Sequence, residues 1–161
     1  MAKNLKMQAT YPYALELVWQ ALTTKEALSE WLMDTDFELV KGHKFRFHDK
    51  PQGGWRGYME CQVLDFQVNQ YLEISWLGMP EHDLQTVRFE LTGDTKQTTL
   101  TLHHFPWNST HGAFGGFILK KIIQFGWKRM FFKQLPIILQ YVRENSMATV
   151  PIGLVNQYRQ Q

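Results

Sequence analysis

The chain predicts an α+β domain in which an antiparallel sheet wraps one long C-terminal helix, and three patterns carry that prediction. Apolar and polar residues alternate with period two through most of 37–105; a helical apolar stripe occupies 117–144; and a strand with two short helices precedes both. At 161 residues and 19.0 kDa, one core is expected.

Leu5, Met7, Ala9 and Tyr11 alternate with Lys6, Gln8 and Thr10 as in a half-buried strand, which Pro12 closes. Leu15, Val18, Trp19 and Leu22 fall at i, i+3, i+4 and i+7, the stripe of a short amphipathic helix. Thr23 followed by Glu26 reads as a capping box, and Leu28, Trp31 and Leu32 continue the spacing in a second short helix. His43, Phe45 and Phe47 then alternate with Lys44, Arg46 and His48, ahead of a turn-rich stretch at 50–54. Trp55, Gly57, Met59, Cys61 and Val63 share the apolar face of the next strand. Leu72, Ile74 and Trp76 do so in another, followed by Val87, Phe89 and Leu91, and then by Leu100, Leu102 and His104. Short polar links such as Gly93-Asp94-Thr95-Lys96 imply an antiparallel meander with one wet face.

The other face needs a cover, and the helix at 117–144 supplies it. Ile118, Leu119, Ile122, Ile123, Trp127, Met130, Phe131, Ile138, Tyr141 and Val142 track its period, and Lys120, Lys121, Lys128, Arg129 and Lys133 occupy much of the remainder. Pro136 removes the bond to the carbonyl of Phe132, so a kink is expected there. Residues 1–145 read as one domain and 146–161, with Pro151 and Gly153, as an appended tail without predicted structure.

Composition narrows the function classes. A 44% hydrophobic and 20% charged content with mean hydropathy −0.34 is that of an ordinary globular chain. Seventeen basic and fifteen acidic residues, net +2, fall short of the excess a dedicated nucleic-acid binder carries. The single Cys61 makes no internal disulfide, and the N-terminal residues carry no apolar signal region, so a cytoplasmic setting is expected. No apolar run is long enough to span a bilayer. Phosphate-loop, dinucleotide, zinc-helix, C-x-x-C, nucleophile-elbow and EF-hand patterns are missing, so neither cofactor nor metal is expected. The unusual feature is 14% aromatic residues, more ring surface than closure of a minimal core demands.

Several runs resemble a known family: Val18-Trp19-Gln20-Ala21-Leu22-Thr23-Thr24-Lys25-Glu26-Ala27-Leu28-Ser29-Glu30-Trp31, Lys41-Gly42-His43-Lys44-Phe45-Arg46-Phe47, Tyr71 to Trp76, Thr86 to Leu91, Thr98 to Leu102, and Gly126-Trp127. Together they resemble the family named after the activator of Hsp90 ATPase, within the START-like (Bet v 1-like) helix-grip superfamily, over residues 5–144. The chain departs from that pattern in the apolar approach Phe117–Phe125, in Gln134 and Pro136, and in the tail. The resemblance implies a cavity between sheet and helix that holds apolar molecules, without fixing one chemistry.

On that expectation the ligand-binding candidates are the inward residues His43, Phe45, Phe47, Trp55, Met59, Cys61, Trp76, Phe89, Leu102 and His104 on the sheet, with Trp127, Met130 and Phe131 on the helix. Taken singly, each is also what a packed core requires. His104 is the better placed of the two inward histidines to act on a ligand. His103, His104 and His111 are not expected to share a metal, because His103 and His104 point to opposite faces of a strand. Cys61 reads as an inert buried thiol, and Asp34 and Asp36 as loop acids. The glycine-rich stretch 105–116 is a candidate lid, and Asn108-Ser109-Thr110 carries no weight as a glycosylation signal. The expected function is non-enzymatic binding of a small apolar or aromatic molecule. The alternatives are a cyclase, aromatase or hydrolase using His104, and a chaperone-associated interaction module. No catalytic residue is assigned, and a homodimer is compatible with each reading.

Overall fold

Leu5–Tyr11 (β1) opens the computed structural model, which describes residues 4–107 and 112–159, with backbone alone at 112–117 and 158–159. Next come the helices Leu15–Thr23 (α1) and Lys25–Trp31 (α2), then the strands Asp34–Thr35 (β2), Lys44–His48 (β3), Tyr58–Gln67 (β4), Tyr71–Trp76 (β5), Gln85–Gly93 (β6) and Thr98–Phe105 (β7). All pair antiparallel, in the order β1-β7-β6-β5-β4-β3-β2. The two-residue β2 fell outside the period-two reading because nothing that short has a period. Thr35 is buried there and its hydroxyl donates to the Arg46 carbonyl at 2.7 Å.

Burial follows the predicted alternation. Leu72, Ile74 and Trp76, then Val87, Phe89 and Leu91, then Leu100, Leu102 and His104 all point to the core. In β4 the register shifts between Val63 and Asp65, and this bulge re-phases the strand. Leu64 is exposed as the alternation requires, while Phe66 is brought back to the inner side, pairs with Leu72 and packs against the core. The outer face is charge-paired: Arg88 bridges Glu73 at 2.9 Å and Glu90 at 2.7 Å above the Tyr71 ring. The capping box does not form. Thr23 still belongs to α1, where its hydroxyl donates back to the Trp19 carbonyl at 2.8 Å, and the α2 N-cap is Thr24.

The covering helix runs as Gly112–Arg129 (α3), a π-helical turn at Met130–Gln134, and Leu135–Val142 (α4). Pro136 therefore acts one turn earlier than a simple kink would. The Leu135 N–H bonds to the Met130 carbonyl, and the next donor in that wider register would belong to residue 136, a proline. Tyr11 fills the gap, its hydroxyl donating to the Phe131 carbonyl at 2.7 Å. Burial raises the pKa of that hydroxyl above the ordinary tyrosine value. Gln134, buried in the same turn, donates through Nε2 to the Trp31 carbonyl at 2.6 Å. Tyr11→Phe is expected to cost about 1–3 kcal/mol by orphaning the buried carbonyl. Thermal unfolding against the parent checks this, with a Tm drop of about 2–4 °C per kcal/mol expected at this size.

Residues after 145 pack onto the body instead of standing apart. Met147, Val150, Leu154 and Val155 join the core against α2 and α4. The Val155 N–H donates to Glu30 Oε1 at 3.2 Å, and the Tyr141 hydroxyl donates to the Thr149 carbonyl at 3.0 Å. Four apolar side chains spread over nine positions are too sparse to show a period, but they suffice to bury once a surface is present.

Candidate functional site

Under the sheet-facing side of the long helix, the ring cluster divides into a packed half and an open half. In the packed half, Phe89 meets Trp31, Trp127 and Phe131 at ring-centroid separations of 5.8–6.5 Å, all buried. In the open half, a cavity of about 730 Å³ lies between the β4–β5 end of the sheet and α3. Met59 and Trp76 form its sheet wall; Trp55, expected on the strand, lies instead in the turn before β4 and borders the cavity from there, as Trp107 does just after β7; Leu119, Ile123, Trp127 and Met130 form the helix wall, and Met33 enters from the end of α2. An apolar body of this size with few polar groups is the usual make-up of a small-molecule site.

Two features of the backbone keep the space open. Gly126 borders the cavity, and a Cβ built there would meet nothing within 4 Å, so the missing side chain is part of the void. The lip is made by 49–54 and 78–85. Gly57 has φ +92°, and a Cβ there would come within 2.9 Å of Pro51, so only glycine closes this turn. Trp55 Nε1 donates to the Gly78 carbonyl at 3.2 Å and ties the two lip segments together. Asp49, Glu81 and Asp83 give the lip its charge, and among the described residues no Lys or Arg lines the cavity.

The predicted site residues separate along the same division. Trp55, Met59, Trp76, Trp127 and Met130 line the cavity. Phe45, Phe47, Cys61, Phe89, Leu102, His104 and Phe131 are buried behind or beside it as packing. His43 is half-buried near the other end of the sheet, stacked on Phe45, with Nε2 at 3.1 Å from the Asp36 carbonyl. Burial pushes the Cys61 thiol well above its ordinary value, which keeps it protonated and inert. Asp36 has a lowered pKa chiefly because its carboxylate accepts the Arg46 N–H at 3.0 Å, so it is a structural acceptor beside β2.

His104 has zero exposure and both of its ring nitrogens engaged. Trp127 Nε1, which can only donate, lies 3.2 Å from His104 Nδ1, so Nδ1 is bare and the proton sits on Nε2. Nε2 donates to Gln85 Oε1 at 2.8 Å, and Gln85 Nε2 donates to the Pro106 carbonyl at 2.9 Å. Desolvation pushes the His104 pKa down to about 3, so the ring is neutral at physiological pH. The chain Trp127–His104–Gln85 pins the helix wall of the cavity to its lip.

Sequence periodicity missed Met33, Met79, His82, Gln85, Ile122 and Ile123 as wall or lip residues. The first three sit in connections, where no repeat marks direction; Gln85 begins a strand as a polar residue; the two isoleucines belong to the helical stripe, whose period does not distinguish packed from cavity-lining positions. Of the candidate lid, 108–111 lies outside the described residues, and Gly112–Gly116 is the first part of α3. Asn108-Ser109-Thr110 and His111 fall in that outside segment as well. His103 points outward, its Nε2 3.4 Å from Glu90, and among the described residues no group of three or more metal-ligating side chains forms.

A curved antiparallel sheet closed over a C-terminal helix with an apolar cavity between them defines a START-like helix-grip domain. Within that class the chain belongs to the family described as activator of Hsp90 ATPase homolog 1-like protein, whose model matches residues 12–140. Among solved structures it is similar to a protein of Mesorhizobium loti, at 25% identity and TM-score 0.71 over 86% of this chain and 98% of that one. A Bacillus halodurans protein shows 25% identity and TM-score 0.67 over 84% and 97%. An HSP90 activator from Plasmodium falciparum shares the fold at 19% identity and TM-score 0.65, over 85% and 96%. No curated protein matches the chain significantly.

Proposed function

We propose that this protein binds a small apolar or aromatic molecule in the cavity between sheet and helix, and acts by binding and not by catalysis. The observation that carries this reading is the cavity of about 730 Å³ bordered by Trp55, Trp76, Trp107 and Trp127. A void of that size bordered by four indoles leaves part of their surface without partner atoms, and an occupant supplies those contacts. Use of His104 as acid or base on an occupant finds no support in the geometry. Its two nitrogens are spent on Trp127 and Gln85, and it lies off the wall.

Titration with Nile red, a neutral aromatic dye, tests the reading. Saturable quenching of tryptophan emission with a matching rise in dye emission is expected, because four of the six tryptophans, Trp55, Trp76, Trp107 and Trp127, border the space. Native mass spectrometry of the purified protein, with organic extraction, then looks for a co-purifying molecule. Absence of any saturable dye signal, together with an apo mass and an empty extract, would refute it.

A further inference from the structure

From α3 and the π turn we infer a second functional surface: the outer face of the long helix docks this protein on anionic lipid bilayers. Ile118, Ile122, Phe125 and Arg129 recur at i, i+4, i+7 and i+11 and share one side of the helix. That side faces solvent: Ile118 is 44% exposed, Ile122 61%, Phe125 70%, and Phe132 in the π turn 55%. Exposed Lys128, Arg129 and Lys133 stand among them. Large apolar side chains left in water along one helix mark a surface that meets something apolar.

The charge of the helix selects the occupant. Residues 112–143 contain six basic residues and not one Asp or Glu, which leaves the rest of the chain with eleven basic and fifteen acidic residues. A second copy laid against this face would oppose Lys128, Arg129 and Lys133 to themselves. A flat bilayer supplies an apolar layer for Phe125 and the isoleucines, with anionic headgroups for the cations around them, which is the arrangement of an interfacial amphipathic helix. No helix among the described residues is long and apolar enough to cross a membrane, so the contact is peripheral. Ile122 belongs both to this face and to the cavity lining, so the helix side of the mouth borders the lipid. Asp49 and Glu81, on the opposite lip, are repelled by the same headgroups and orient the docked molecule.

Co-sedimentation of the full chain with phosphatidylcholine vesicles, with and without one third phosphatidylserine, tests the docking. Binding only to the anionic vesicles is expected, weakened by high salt. The pair Lys128→Glu and Arg129→Glu is expected to lower partitioning by about tenfold or more, since each basic residue near such a surface contributes measurably. Phe125→Ser, a surface change that leaves the cavity intact, is expected to lower it several-fold while Nile red binding is retained. Nile red uptake by protein that ignores vesicles would overturn the docking alone, and vesicle binding by protein that takes no dye and yields no co-purifying molecule would overturn only the cavity reading. Equal association with neutral vesicles, indifference to both sets of substitutions, a dimer dissolved by Phe125→Ser, or binding to polyglutamate but not to vesicles would each overturn the docking.

Discussion

Gly126→Leu is expected to abolish uptake of Nile red while leaving the protein folded and slightly more stable. The position borders the cavity, and its missing Cβ has nothing within 4 Å, so a leucine side chain enters the void instead of displacing neighbours. The plug removes the contacts that an occupant would make beside Trp127 and Met130, and a loss of about 100-fold in affinity corresponds to roughly 2.8 kcal/mol. Replacing glycine in a helix interior contributes about 0.5–1 kcal/mol in the opposite sense, through propensity. At this chain length that raises Tm by about 1–4 °C. Dye titration and a thermal melt on one preparation check both halves. Unchanged dye affinity in a folded variant would place the binding elsewhere. Gly126→Ala, which adds the helix propensity but little bulk, should raise Tm with a much smaller effect on the dye.

The second large effect is on stability at mildly acid pH. His104 titrates at about 3 in the folded state, against 6.5 for an unperturbed histidine. Between those values the unfolded chain takes up a proton that the native state refuses, so stability is fully present above pH 6.5 and falls as pH drops toward 3. The slope is at most about 1.4 kcal/mol per pH unit. His104→Gln keeps an acceptor for Trp127 and a donor for Gln85 without a titrating ring. It is expected to flatten the dependence between pH 6.5 and 5, at a cost of about 1–3 kcal/mol at neutral pH. Asp36, Asp65, Glu90 and Asp94 have lowered pKa values and add their own loss at more acid pH, which is why the comparison belongs above the carboxylate range. Urea unfolding midpoints of the two proteins at pH 7.0, 6.0 and 5.0 give the measurement, and parallel curves would show that His104 is not the titrating group.

Much of the fold was legible because each element carries its own period. Lys44–His48 and Gln85–Gly93 alternate cleanly, and the helical stripe through Trp127 persists across the π turn. The π turn itself was only half legible. Pro136 announced a lost backbone bond, but the partner that made the loss tolerable, Tyr11, is more than a hundred residues away. The tail was illegible for a similar reason: Met147, Val150, Leu154 and Val155 have a use only when the side of α2 is there to receive them.

The site shows where local reading stops. Period two told which side chains of the sheet point inward, and so named Trp55, Met59, Trp76, Phe89, Leu102 and His104 together. An inward residue at a filled level of the sheet and one at an open level have the same sequence pattern. Which is which depends on how far the helix stands from the sheet. The open level is bordered by Gly126, by the Trp127–His104–Gln85 hydrogen bonds and by the lip that the glycine-dependent turn at Gly57 closes. The amino-acid pattern by itself determined the order of the elements, the inward face and the family, because burial demand repeats with backbone geometry. Only the tertiary structure decided that part of that face is cavity and the rest is core, because a void is a property of distances between elements and no single element encodes it.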